Sequence, residues 1–319
     1  MNKVLNALEL GGIIPVVVIE DEERAVPLAQ ALLAGGLATM EITFRTDAAR
    51  NAIDRIRQNV PEMLIGAGTV LTVDQVKAAV DGGAQYIVSP GLNRNVVEYC
   101  RSHDVTVTPG ISTPSDVEAA IEFGLTVVKF FPAEASGGTN YLKAITAPYR
   151  QMRFIPTGGV DESNLVAYLR LPFVLACGGS WMVKAELIGA GNFDEITRLS
   201  SSAVATMLGL RLCHVGINNP GPTEAMEGAR FLGSLLHMPL NEGSGSVFVD
   251  TQFELLKRNY LGAHGHLAIG TNFIQRAIAQ FACRGTGIRE ETKAEKNGKL
   301  ASVYLDKEVG GFAIHLLQL

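Results

Sequence analysis

The chain has 319 residues and a mass of 34.0 kDa, which at roughly 150 residues per domain predicts two domains. Its 27 Lys and Arg against 32 Asp and Glu leave a formal charge of −5, the wrong sign for a nucleic-acid or anionic-membrane partner. No apolar run approaches the roughly 18 residues of a membrane span, and Met1–Val4 lacks the charged-then-apolar start of a secretory signal. Cys100, Cys177, Cys213 and Cys283 show no CxxC spacing and read as reduced thiols. A soluble cytoplasmic enzyme is expected.

The first 210 residues hold eight short apolar runs: Ile13–Ile19, Thr39–Phe44, Leu64–Val70, Tyr86–Ser89, Val105–Thr108, Val127–Phe131, Arg153–Pro156 and Phe173–Cys177. Their near-continuous hydrophobicity is that of parallel strands buried on both faces. Amphipathic segments such as Glu22–Ala34, Val73–Asp81 and Ser115–Phe123 lie between them, and three of these run into Gly35-Gly36, Gly82-Gly83 and Gly124, where helix C-caps favour glycine. Eight β-α units in about 200 residues predict an α/β fold, a compact (β/α)8 TIM barrel. An open doubly wound sheet is the rival, weakened because no GxGxxG follows the first strand. A boundary is expected near Gly209, dividing the chain into 1–210 and 211–319. The first part carries 16 basic and 22 acidic residues, the second 11 and 10, and five of the six histidines fall in the second.

Polar residues gather at the strand ends. Glu41, Arg45, Thr69, Pro90, Lys129, Thr157 and Ser180 all lie in or just past the C-terminal part of an expected strand, the edge where barrels build active sites. A lysine inside a strand is costly to bury when charged. From position alone, Lys129 reads either as an amine nucleophile, favoured by burial beside a cation such as Arg45, or as half of a structural ion pair with Glu41. Glu41 is a candidate general base or a solvated strand-end carboxylate. Arg45 offers a fork suited to a carboxylate. Gly158-Gly159 and Gly178-Gly179 are expected in the turns after the last two strands, as a phosphate cradle or merely as tight turns.

Residues 8 to about 208 resemble the 2-keto-3-deoxy-6-phosphogluconate / 4-hydroxy-2-oxoglutarate aldolase family, class I aldolase barrels. The resemblance rests on Pro15-Val-Val-Val18, Glu41-Ile-Thr-Phe-Arg-Thr46, Gly66-Ala-Gly-Thr-Val-Leu71, Ser89-Pro-Gly91, Pro109-Gly-Ile-Ser-Thr113, Lys129-Phe-Phe-Pro-Ala-Glu134, Pro156-Thr-Gly-Gly159 and Gly178-Gly-Ser-Trp181. It implies a Schiff-base lysine at Lys129 and a proton-shuttling carboxylate at Glu41. Arg45 and Thr69 would hold the pyruvate carboxylate, with Pro90 beside them at the mouth and Phe131 walling the pocket. Thr157, Gly158, Gly159, Gly179 and Ser180 would face a distal phosphate. The substrate is then a 2-keto-4-hydroxy acid, the aldolase needs no cofactor, and the assembly is a homotrimer.

The last 110 residues repeat themselves. Cys213-His-Val-Gly-Ile-Asn-Asn219 and Gly265-His-Leu-Ala-Ile-Gly-Thr-Asn272 place His214 and His266 alike; Phe253–Lys257 and Phe312–Leu317 place Glu254 and His315 alike. Two β-α-β-β-β modules, an α+β domain, would converge four side chains suited to a divalent Ni, Zn, Fe or Mn ion. This half resembles the vicinal oxygen chelate (glyoxalase and dioxygenase) superfamily, whose metal ligands would be His214, Glu254, His266 and His315. His315 departs from the Glu of the glyoxalase pattern. His237 and His264 are expected at the surface. Three readings follow: an aldolase with a metal-binding partner domain, a keto-acid sensor without turnover, or a glyoxalase or dioxygenase activity in the second domain as the main function.

Overall fold

Eight parallel strands make up the first unit: β1 (Ile13–Val17), β2 (Thr39–Thr43), β3 (Leu64–Gly68), β4 (Tyr86–Ser89), β5 (Thr106–Ile111), β6 (Val127–Phe130), β7 (Arg153–Pro156) and β8 (Cys177–Gly179). They pair in the order β7-β6-β5-β4-β3-β2-β1-β8, and a parallel bridge between Thr157 and Gly178 joins the two ends. The result is a (β/α)8 barrel. The computed structural model describes residues 2–319 and separates a compact unit ending at Met207 from a second unit, Leu208–Leu319.

Sequence signals for the intervening helices are local. Thr72 caps Val73–Asp81 by accepting from the Gln75 N–H. Thr113 and Asp116 form a reciprocal capping box on Pro114–Glu122, with proline at the first turn where no N–H is needed. The segment expected as one helix from Glu22 starts as a 3-10 turn, Glu22–Arg24, before Ala25–Ala34. Leu8, from the helix Lys3–Gly11, packs with Ile14, Tyr86, Val127, Ile155 and Leu175 at the N-terminal side of the strands. That apolar plug leaves the opposite, C-terminal end of the barrel for chemistry.

Two strands depart from expectation. β8 was expected at Phe173–Cys177 but is Cys177–Gly179, so Gly178 and Gly179 lie within it and do not follow it. Val174 makes only an isolated bridge to Phe154. The reason is steric: a side chain on Gly178 would overlap the Thr157 side chain, and one on Gly179 the Trp181 ring. Neighbours fill the space that apolar side chains would otherwise mark. β5 likewise runs on through Pro109 and Gly110, where a Cβ on Gly110 would overlap the Pro90 carbonyl.

The second unit contains two β-α-β-β-β modules. The first comprises β9 (Arg211–Asn218), the helix Pro222–Leu236, β10 (Leu240–Glu242), β11 (Ser246–Val249) and β12 (Phe253–Leu256). The second comprises β13 (Gly265–Thr271), the helix Ile274–Cys283, β14 (Ala294–Lys296), β15 (Lys299–Val309) and β16 (Phe312–Gln318). They form one mixed sheet, β10-β11-β12-β9-β13-β16-β15-β14. β9 and β13 pair antiparallel at its centre, and each pairs in parallel with the last strand of its own module. Ala225 and Ala229 of the first helix pack on Val247, Val249 and Leu255. Among the described residues no helix is long and apolar enough to cross a membrane.

Candidate active site and metal centre

Strand alternation turns Glu41 of β2 and Lys129 of β6 into the barrel. Lys129 Nζ lies 3.3 Å from Glu41 Oε1, with side chains only 8% and 4% exposed. The Lys129 amine donates a hydrogen bond to the Glu41 carboxylate. Nζ also stands 5.3 Å from the centroid of the Phe131 ring. Phe131 lines a cavity of about 180 Å³ together with Arg45, Thr157, Gly158, Gly159 and Ser180, and Gly179 completes the wall. Seven of the expected residues thus line one cavity, and the Lys129–Glu41 pair stands behind its Phe131 wall without lining it; two others lie outside it. Thr69 joins through Arg45, whose Nε donates to Thr69 Oγ1 at 3.2 Å. Pro90 lines a separate hollow with Ser89 and Asn93.

Thr69 has a φ of +56°, costly for a β-branched residue and typical of backbone held by function. Gly158 and Gly159 have φ of +94° and +83°, open to glycine alone without strain. Their carbonyls are tied down: Glu134 N–H donates to Gly158 O at 3.0 Å and Asn164 Nδ2 to Gly159 O at 3.0 Å. The N–H groups of Gly159 and Ser180 have no acceptor among the described residues, while that of Gly158 faces the Gly178 carbonyl across the bridge from Thr157. The loop thus presents donors to the cavity.

Sequence reasoning passed over several supporting residues. Gly68 faces Glu41 so closely that a Cβ there would overlap its carboxylate. Glu134 accepts a hydrogen bond from the buried Tyr168 hydroxyl behind the glycine loop. Both residues sit in quoted motifs, yet only the packing shows what they hold.

In the second unit the two modules superimpose in register. Glu254 pairs with Gly216, two residues past His214; His315 pairs with Ala268, two residues past His266. His214 Nε2 and His266 Nε2 are 3.1 Å apart, and both lie within 3.3 Å of Glu254 Oε2. Ligand atoms of His214, His266 and His315 all fall within 4.8 Å of one another, close enough to share one ion. Burial works against the charge on Glu254, but hydrogen bonds from His214, His266 and Ser246 outweigh it and hold the carboxyl below its usual range. Burial, with the charges of His266 and His214, pushes His315 down to about 4, so its ring offers a lone pair at neutral pH. The buried Nδ1 atoms of His266 and His315 have no partner among the described residues. A Cβ on Gly216 would overlap the His266 ring. His237 and His264 are exposed.

Three comparisons bear on the barrel. A family profile for KDPG and KHG aldolase matches residues 4–199. A 2-dehydro-3-deoxy-phosphogluconate aldolase of Treponema pallidum is 52% identical over 204 residues, covering 64% of this chain and 97% of its own length. The KHG/KDPG aldolase of Escherichia coli K12 is 45% identical over 197 residues, 62% of this chain and 92% of that protein. The crystal structure of Legionella pneumophila KDPG aldolase, with pyruvate captured as a covalent carbinolamine, matches with a TM-score of 0.61 and 38% identity. It covers 63% of this chain and 98% of that one. Together with the barrel, these matches show that the chain belongs to the KDPG and KHG aldolase family and is a class I aldolase, a carbon–carbon lyase.

Proposed function

We propose that the barrel cleaves 2-keto-4-hydroxy acids through a Schiff base on Lys129. The substrates are 2-keto-3-deoxy-6-phosphogluconate, giving pyruvate and glyceraldehyde 3-phosphate, and 4-hydroxy-2-oxoglutarate, giving pyruvate and glyoxylate. The observation that carries this reading is the buried Lys129–Glu41 pair at 3.3 Å beside the Arg45 and Phe131 cavity. A sensor that only bound a keto acid would need neither the amine nor the base.

Lys129 Nζ adds to the C2 ketone, and loss of water leaves a cationic iminium. Glu41, directly or through one water, takes the C4 hydroxyl proton. The C3–C4 bond then breaks, its electrons passing to the iminium to leave an enamine and an aldehyde. Glu41 returns its proton to C3, and water hydrolyses the new iminium to pyruvate and free amine. Arg45, with Thr69 against its Nε, holds the substrate carboxylate. The unpaired N–H groups of Gly159 and Ser180 receive the distal phosphate. Borohydride reduction with pyruvate tests the assignment: added mass on the Lys129 peptide supports it, and label elsewhere or nowhere overturns it. Homotrimeric assembly belongs to the same reading and is checked by light scattering.

For the second unit we propose a divalent metal held by His214, Glu254, His266 and His315, in a vicinal-oxygen-chelate-like domain. The donor set fits: three imidazoles whose ligand atoms lie within 4.8 Å of one another, a carboxylate within 3.3 Å of two of them, and two rings with unused buried nitrogens. Such an ion would supply Lewis-acid sites for a ligand with adjacent oxygens. Metal analysis of the purified chain tests it.

A further inference from the structure

One residue out of register reshapes the sheet beside the histidine cluster. Along β9 and β13, Gly216 stands opposite His266 and His214 opposite Ala268, but then Leu212 stands opposite Ile269 and Arg211 opposite Gly270. Cys213 is the extra residue of a β-bulge. In an unbroken strand Arg211, an odd number of residues before His214, would point to the other face. The bulge reverses this and sets Arg211 on the face that carries His214 and His266.

Opposite Arg211, the space that a side chain on Gly270 would take is filled by Cys213 Sγ and Leu319, and Leu317 is the neighbour of Gly270 on β16. A cavity of about 570 Å³ lies here, with His214 in its wall, a volume usual for a small-molecule site. Its polar lining is Arg211, Asn241, Asp250 and Thr251; Phe248 and Leu317 give it apolar walls. Arg211 has no ion-pair partner among the described residues. Arg211 and His214 are three residues apart on an extended strand, about 8–10 Å. A two- or three-carbon acid is too short to engage both.

We infer that this cavity binds an elongated sugar acid of about five or six carbons. Its terminal anionic group sits on Arg211, its hydroxyls face Asp250, Asn241 and Thr251, and its other end reaches the His214 cluster. Only the placement of that last end rests on the metal reading; the anion end requires no ion. The carbon length and the polyol lining relate this site to the class of acid proposed for the barrel, on a separate unit of the chain.

Equilibrium dialysis of the full chain with labelled 6-phosphogluconate tests the inference. This acid lacks the ketone and is not cleaved. Two sites per chain are expected. Arg211→Ala should weaken one by about tenfold or more, as loss of a charge-assisted pair does, while pyruvate release from the barrel is unchanged. Ser180→Asp should weaken only the other. A parallel arm with glucarate tells a phosphate preference from a carboxylate one, and Arg211-dependent binding of either acid supports the site. No binding, or binding at one or two sites that are all indifferent to Arg211→Ala, overturns it. Repeating the dialysis with Mn²⁺ separates the two readings: Arg211-dependent binding that Mn²⁺ does not strengthen keeps the cavity's ligand and removes the metal.

Discussion

Gly68 on β3 and Glu41 on β2 occupy adjoining space, so that any side chain at Gly68 would overlap the Glu41 carboxylate. Gly68→Ala must displace that carboxylate from its position beside Gly68. A displacement of about 1 Å at a reacting group costs on the order of a hundredfold in rate, and overpacking a filled interior costs about 1–3 kcal/mol. Turnover should fall by roughly that factor, with a lowered melting temperature. Wild-type turnover in Gly68→Ala would argue against Glu41 as the proton shuttle.

Lys129 and Glu41 should separate into two steps. Lys129→Met should lose borohydride trapping together with turnover. Glu41→Gln keeps the amine but removes the base, which contributes about 10²- to 10⁴-fold in such reactions. Trapping of pyruvate should persist there while cleavage of 2-keto-3-deoxy-6-phosphogluconate collapses. Mass spectrometry of the reduced protein and a pyruvate-release assay read the two effects.

Ser180 distinguishes substrates. Ser180→Asp sets a carboxylate against a phosphate dianion beside the Gly159 donor. KM should rise far more for the phosphorylated acid than for 4-hydroxy-2-oxoglutarate. Equal losses would reduce the glycine loop to a turn.

Behind that loop, the Tyr168 hydroxyl donates to Glu134, whose own N–H holds Gly158 O. A Cβ on Gly159 would come within 2.6 Å of Glu134 Cβ, so the two segments are packed together. Tyr168→Phe should free the Glu134 carboxylate at a cost of about 1–2 kcal/mol. A raised KM for the phosphorylated substrate with kcat unchanged marks a positioning role. Equal effects on both substrates would mark simple loss of stability.

Chelation should divide the molecule. Removing an ion held by His214, Glu254, His266 and His315 withdraws stabilisation worth about 4 kcal/mol at a thousandfold excess over its Kd. The unfolding transition of the second unit should move down, while pyruvate release from the barrel stays nearly constant. Calorimetry with and without chelator, alongside the aldolase assay, reads both. No shift, with no affinity for added Ni²⁺, Zn²⁺, Fe²⁺ or Mn²⁺, would leave the cluster a hydrogen-bonded core.

Periodicity, composition and motif order were enough to read the barrel, the repeated module and most of the residues that meet in each site. Strands buried on both faces carry a continuous apolar signal, as at Ile13–Val17, and caps such as Thr113 with Asp116 are written within four residues. Tertiary structure alone decided the rest. β8 is Cys-Gly-Gly, invisible to a hydrophobic scan because Thr157 and Trp181 occupy the space its side chains would fill. Gly68 and Gly216 are silent in the sequence because what each accommodates, Glu41 or His266, comes from another strand. The facing of Arg211 depends on a single unpaired residue, Cys213, and a bulge exists only in the pairing of two strands. Local chemistry determines which elements form. Which side chains share a site is set by contacts between residues far apart in the chain, and those carry no local signature.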